Sequence, residues 1–266
     1  MSRVVRAELL KFFSTRLWWG MALAVLLSGA GFAVLFGFIL TSEGLGEGAP
    51  ALPLTDDLLA RTVYTSGLSV GYLLTLAVGV MMVGSEYRHK TITATFLTTP
   101  RRATVMGAKT VALLVIGGFY GLLSLAGSVS AGAVVLSSKG HEPFGDPEIW
   151  RTLALALLVL GLWALIGLGA GILIPNQVAA LLIAIGVAWI VEPIVGAVLP
   201  LTEWGKDVVP YLPSQATNAA LGLQNAGFGG DPVTTLSWWA GALVLAAYAA
   251  AMAGLGTWRT LRADIS

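Results

Sequence analysis

Hydrophobic positions in this chain do not alternate with polar ones; they run on without interruption. Residues 17–42, 62–85, 110–138, 152–191 and 232–258 contain no Asp, Glu, Lys or Arg. About 20 such residues, wound as a helix, cross the hydrocarbon of a bilayer. Lipid offers no partners to backbone N–H and C=O groups, so each run is expected to be helical. The run 152–191 is too long for one crossing, and Pro175 and Asn176 interrupt it. Proline removes a helix hydrogen bond and restricts the residue before it, which divides the run into two spans joined by a tight turn. The expected fold is an all-α integral membrane protein, one domain over 1–266. Its six spans fall at about 17–40, 62–85, 109–136, 152–174, 178–199 and 236–258.

Shorter patterns lie between and before these runs. In RVVRAELLKFFSTR, residues 3–16, Val5, Leu9, Phe12 and Phe13 fall within about a third of a helical wheel, with Arg3, Arg6, Lys11 and Ser14 elsewhere. That pattern fits a helix lying in the membrane interface, apolar face down and cations toward the headgroups; a plain extension of the first span is the alternative. In EYRHKTITATFLTTPRRATVMGAK, residues 86–109, Ile92, Phe96 and Leu97 share one side, threonines surround them and Pro100 ends the pattern. A short amphipathic surface helix is expected there. The segment 200–235 holds four prolines around SQATNAALGLQ and is expected to fold back on the membrane surface as short helices, with Trp204 and Tyr211 at the interface. Within the spans, Gly67 and Gly71, Gly117 and Gly121, and Gly167 and Gly171 have the four-residue spacing that lets helices approach closely in lipid.

Composition agrees with the pattern: 56% of residues are hydrophobic and 11% charged, against roughly 25% charged in a soluble domain. The first run follows Arg3, Arg6, Lys11 and Arg16 as a signal peptide's core would. It far exceeds the roughly 7–15 residues of such a core and is expected to remain as an anchor. Charge then orients the chain. Segments 1–16, 86–109 and 259–266 carry eleven of the 15 Lys and Arg but three of the 14 acids. Cations are retained on the cytoplasmic side, so both termini and the 86–109 loop are expected inside a cell membrane. Trp18, Trp19 and Trp258 then mark the inner boundary, and Trp150, Trp204, Trp238 and Trp239 the outer one.

Candidate chemistry is sparse. The chain has no cysteine, so disulfides and thiolate metal sites are excluded. GLSVG at 67–71 matches the G-x-S-x-G pattern of a serine nucleophile and slightly resembles the rhomboid-type intramembrane proteases. That chemistry needs a base beside Ser69, and the two histidines, His89 and His141, are expected in loops on opposite sides of the membrane. GLGAG at 167–171 lies inside an apolar span and lacks the strand-turn-helix setting of a dinucleotide loop. There is no G-x-x-x-x-G-K-[ST] loop to hold ATP and no HExxH to hold a metal. Glu192 is the one ionisable group placed as a proton or ion carrier would need it, and Pro193 beside it is expected to mark the end of the fifth span.

The basic 86–109 loop has two readings. Its cations can simply meet anionic lipid; Ile92, Phe96 and Leu97 then need either the bilayer or a partner's groove. Nucleic acid fits poorly, since Tyr87 and Phe96 are the only stacking residues. The order K-F-x-S-T-R, first span, second span, E-Y-R-x-K-T, short helix, T-P-R-R, Lys109, third span resembles the membrane subunit of an ATP-binding-cassette exporter of the type-2 permease family. YLPSQATNAAL before the last span resembles that family's folded-back outer helices. The likeness covers essentially the whole chain and departs from it at Lys90, where family members usually carry Gly.

The resemblance implies that residues 86–102 form a coupling helix docking on a separate ATPase subunit, through Glu86, Tyr87, Arg88, His89, Lys90, Thr91, Ile92, Phe96, Leu97, Arg101 and Arg102. It implies that Val5, Leu9, Lys11, Phe12 and Phe13 belong to an interfacial elbow helix. Two copies of the chain, or this chain and a related permease, would join two ATPase chains that bind ATP and Mg, this chain holding no cofactor itself. The expected function is export of a hydrophobic or amphipathic substrate such as an antibiotic, lipid or peptide. An intramembrane serine hydrolase using Ser69, and an ATP-independent carrier or immunity protein, are the competing expectations.

Overall fold

The structure is a computed structural model that describes residues 1–41, 55–91, 95, 97, 101–223 and 236–262, of which 261 and 262 by backbone alone. Among the described residues every element is a helix. They are α1 (Ser2–Phe13), α2 (Leu17–Thr41), α3 (Asp56–Thr65), α4 (Leu68–Arg88), α5 (Arg102–Ser138) and α6 (Glu148–Leu173). Then come α7 (Gln177–Gly186), a π turn (Val187–Val191), α8 (Glu192–Val198), α9 (Glu203–Val208), α10 (Pro213–Ala220) and α11 (Trp238–Arg262).

Six helical stretches are long and apolar enough to cross a membrane: Leu17–Thr41, Asp56–Arg88, Arg102–Ser138, Glu148–Leu173, Gln177–Leu201 and Trp238–Thr260. The chain is a multi-pass, all-helical membrane protein. In their most apolar 18 residues the second, third and fourth spans are 67%, 50% and 67% buried, whereas the first, fifth and sixth are 22%, 17% and 28% buried. Burial therefore divides the bundle into a core of α4, α5 and α6 and a looser periphery of α2, α7–α8 and α11.

The core is closed by glycine. A Cβ on Gly117 would come 2.6 Å from Gly161 Cα, and one on Gly67 would come 2.6 Å from Gly29 Cα. The crossings of α5 with α6 and of α4 with α2 thus run backbone against backbone, where dispersion and polar contact replace the hydrophobic drive that lipid removes. Gly71, Gly121, Gly167 and Gly171 also face neighbouring helices. The GLSVG and GLGAG motifs are helix-packing surfaces in this fold.

The division of the run 152–191 falls where the sequence places it. Asn176 caps α7: its side-chain oxygen accepts hydrogen bonds from the Val178 N–H (3.0 Å) and the Ala179 N–H (3.2 Å). Other boundaries differ from the sequence reading. The second span begins at Asp56, N-capped by Thr55, because α3 continues into α4 through a short break at Ser66–Gly67. The third begins at Arg102, and its 37 residues measure roughly 55 Å, well beyond a ~30 Å hydrocarbon core. Glu192 does not end the fifth span. The helix continues to Val198, and the buried carboxylate accepts the Ser214 N–H at the start of α10.

The described part of the 200–235 segment forms short helices, α9 and α10. Buried Ala216, Ala219 and Ala220 seat α10 against α11, and the Trp163 indole N–H donates to Thr217 Oγ1 at 3.0 Å. At this end α3 is tied to the α5–α6 connection. Arg61 bonds Asp146 and lies 2.9 Å from Glu148, Tyr64 donates to the Pro143 carbonyl (2.7 Å), and His141 meets Asp56 (2.8 Å). We call this the acidic end. The basic end gathers α1, the starts of α2, α5 and α7, and the ends of α4, α6 and α11. Arg102 donates to the Thr260 carbonyl (3.0 Å) and Arg259 to the Leu173 carbonyl.

Candidate functional site

The site is built on the last turn of α4. That helix stops because Lys90 takes a left-handed conformation (φ 54°) and the Thr91 N–H turns back to the Glu86 carbonyl at 3.0 Å. Glycine adopts this backbone freely, whereas an L side chain costs about 1–2 kcal/mol. Position 90 is therefore the point where glycine would relieve strain.

One turn earlier, Glu86 points into the bundle and meets two lysines from distant parts of the chain. Lys11 of α1 donates to Glu86 Oε1 at 2.9 Å, and Lys109 of α5 lies 2.8 Å from the same oxygen. The same two lysines grip Glu8: Lys109 Nζ to Glu8 Oε2 is 2.7 Å, and Lys11 Nζ to Glu8 Oε1 is 2.9 Å. Two carboxylates and two ammoniums form a closed, neutral ring. The Lys109, Glu8 and Glu86 side chains are only 1%, 2% and 8% exposed, while Lys11 reaches water.

Burial fixes the meaning of the ring. It pushes the Glu8 carboxyl up, but Lys109 and Lys11 together outweigh it and hold Glu8 below the usual carboxylate range. Burial likewise works against the Lys11 ammonium, and Glu8 and Glu86 more than offset it, so Lys11 titrates above its ordinary value. Breaking one member of such a ring strands a buried charge, at a cost of about 3–5 kcal/mol. The ring is thus a strong tie between α1 and the ends of α4 and α5, which are the two ends of the 86–109 segment. One atom is left over: Glu86 Oε2 is buried with no hydrogen-bond partner among the described residues.

The aromatic face of α1 reinforces the tie. Phe12 is buried, its ring 5.4 Å from Phe13 and 6.1 Å from Tyr120 in edge contacts, and Leu9 and Phe13 pack on the core. Val5 is half-buried. Beside the ring is a cavity of about 510 Å³, lined by Glu8, Lys11, Phe12, Met81, Met82, Glu86, His89 and Gln177, among others.

The structure thus joins Lys11 and Phe12 of the α1 set to Glu86 and His89 of the loop set. Tyr87 is half-buried against the core, and Arg88, Lys90, Thr91 and Arg101 are exposed. Arg102 serves the α5–α11 contact. Leu97 is helical and 79% exposed, whereas Ile92 and Phe96 lie outside the described residues. The sequence pattern does not mark Glu8 or Gln177 as site residues and marks Lys109 only as a loop cation. Glu8 was findable: it stands three residues after Val5 and four before Phe12, an acid on the apolar face of a helix.

Ser69, by contrast, has no imidazole beside it. Its hydroxyl donates to the Ser66 carbonyl at 3.1 Å, and among the described residues His141 pairs with Asp56 while His89 lines the cavity at the basic end. No group of three metal-ligating side chains occurs among the described residues. Comparison with known proteins assigns no family: no family model matches the chain, and no curated protein matches it.

Proposed function

We propose that the chain is the permease subunit of an ATP-binding-cassette exporter, driven by a separate ATPase that docks on the 86–102 segment. The observation that supports this most is the Glu8–Lys11–Glu86–Lys109 ring. A partner pushing on the 86–102 segment acts on α4 and α5 at once, and the ring makes α1 move with them. Backbone-close crossings join α5 to α6 and α4 to α2, so the displacement passes directly into the neighbouring spans. Exposed Leu97 and Arg101 present an apolar knob and a cation to the groove of a soluble protein.

In this reading the basic end is cytoplasmic, both termini lie inside the plasma membrane, and α1 is the interfacial elbow helix. Two copies of the chain, or one with a related permease, pair with two ATPase chains. Those chains supply ATP and Mg, which accords with a sequence that has no phosphate-binding loop. Cargo is hydrophobic or amphipathic and passes between the spans of the two permeases.

Co-expression with a candidate ATP-binding-cassette ATPase tests the reading. The purified chain alone is expected to hydrolyse no ATP, and the co-purified complex to hydrolyse it. L97D together with R101E is expected to abolish co-purification while leaving the thermal unfolding of the chain unchanged. Transport by the reconstituted chain alone, driven by an ion gradient, would refute the proposal.

A further inference from the structure

The acidic end holds a buried acid that the docking role does not use. Four carboxyl groups are buried among the described residues: Glu8, Glu86, Asp146 and Glu192. Three of them meet a cation, Lys109 for Glu8 and Glu86 and Arg61 for Asp146. Among the same residues Glu192 meets none. It lies within the fifth span and bonds instead the Ser214 N–H, in the first turn of α10. The elements around it add no compensating charge. α7, α8 and α10 carry no other ionisable side chain, α6 has none after Arg151, and α4 faces it with Tyr72, whose ring stacks on Trp163 at 4.5 Å. Glu203, Lys206 and Asp207 of α9 are exposed.

A buried charge without a partner costs more than the N-terminus of a short helix returns. The neighbourhood is also short of a donor. Gln215, the residue after Ser214, has its Oε1 buried with no hydrogen-bond partner among the described residues. Its Nε2 would lie 3.9 Å from a Cβ on Gly196, one helical turn beyond Glu192 on the same face. Both observations favour a neutral carboxyl, which removes the charge and brings an O–H donor where one is lacking.

The backbone beside Glu192 is jointed. Pro193 offers no N–H to the Trp189 carbonyl, and the helix there is a π turn, Val187–Val191, with the Glu192 N–H reaching back to the Val187 carbonyl. Such turns interrupt the regular ladder and are places where helices bend. Beyond the turn α8 is largely exposed, Ile194 and Val198 each by 57%. We propose that Glu192 is a proton-binding site: neutral, it lies docked on α10; ionised, it swings α8 outward about the π turn until the carboxylate meets water. The proton leaves to the water of the acidic end. Docking is thus complete at low pH and is lost as pH rises through the titration of the docked carboxyl. The proposal concerns one chain and stands without the ATPase reading.

The chain has no cysteine, so two spin labels can be placed without removing any residue of that type. Val198→Cys on α8 and Leu243→Cys on α11, both at exposed positions, report the separation of the two helices by electron spin resonance. The full-length chain is measured in lipid nanodiscs, titrated from acid to alkaline pH. The separation is expected to grow as pH rises, the ratio of lifted to docked chain increasing by at most about tenfold per pH unit, as one proton requires. Infrared difference spectra of the same samples should lose the C=O band of a protonated carboxylic acid over the same range. Glu192→Gln cannot ionise and should stay docked throughout, without that spectral change. Tyr72→Phe removes the other titratable neighbour and should respond as the wild type does. A wild-type separation that does not change, a separation that grows on acidification, or a response that survives in E192Q overturns the proposal.

Discussion

The two ends of the bundle are both closed by ion pairs, and they are built on different principles. At the basic end, Glu8, Lys11, Glu86 and Lys109 form a ring in which three of four side chains are at most 8% exposed. At the acidic end, Arg61, Asp146, Glu148 and Arg151 form a chain that runs outward from buried Asp146 to Glu148 (49% exposed) and Arg151 (35%). The buried ring holds an amphipathic helix that lies outside the six spans. The open chain pins the α5–α6 connection against α3. A buried ring resists being pulled apart, because any partial opening strands a charge; an open chain can exchange its outer partners, Glu148 and Arg151, for water. The contrast teaches where mechanical connection belongs in this fold: at the end where the loop joining α4 to α5 emerges.

Removing Lys109 should separate the two ends most sharply. Lys109→Met leaves two buried carboxylates facing Lys11 alone and is expected to cost about 3–5 kcal/mol in reversible unfolding. The double variant E8L/K109M removes one anion and one cation and keeps the Lys11–Glu86 pair at 2.9 Å. It should recover most of that loss, and a double variant as unstable as K109M would show that the ring is not closed as described.

Acid is the next probe. Glu8 titrates below its ordinary range, so the stability it contributes is complete above the unfolded carboxylate value and is lost as pH falls through the folded one. Lys11 is shifted the other way, so its contribution is complete below the unfolded lysine value and is lost as pH rises through the folded one. Proteolytic release of α1 should therefore be flat across neutral pH and rise at both extremes, and in E8Q the acid limb should vanish.

The smallest effects belong to the acidic end. Asp146 is pushed up by burial but held below its ordinary value by the Glu148 N–H and by Arg61. Arg61→Met is expected to cost about 2 kcal/mol, since the Glu148 N–H still serves Asp146. Arg151→Ala, at the exposed tip, should cost about 0.2–1 kcal/mol. Thermal unfolding of the two variants measures the gradient from buried to exposed pairing, and equal losses would remove the distinction between the ends.

What could be read in the residues follows from the range of the forces involved. The six spans were legible because uncharged runs report directly on lipid, and the break at Pro175 and Asn176 because its signal is local. The true extents of the second and third spans were hidden. Asp56–Arg61 and Arg102–Ala108 are helical beyond the apolar runs, and charge marks the edge of hydrocarbon, not the end of a helix. Gly67 and Gly117 announced close packing, but their partners Gly29 and Gly161 are set by tertiary fit. The ring escaped for the same reason. Its members lie 75 and 101 residues apart along the chain, and Glu8 and Lys109 read locally as ordinary flanking charges.

The central claim is that the segment between α4 and α5 is the handle of a cytoplasmic ATPase. A photo-crosslinking residue at Leu97, activated in intact cells, tests it most directly. The account predicts an adduct with an ATP-binding-cassette ATPase that is lost when Arg101 is replaced by Glu; adducts with lipid alone, or labelling of position 97 by a membrane-impermeant reagent from outside, would contradict it.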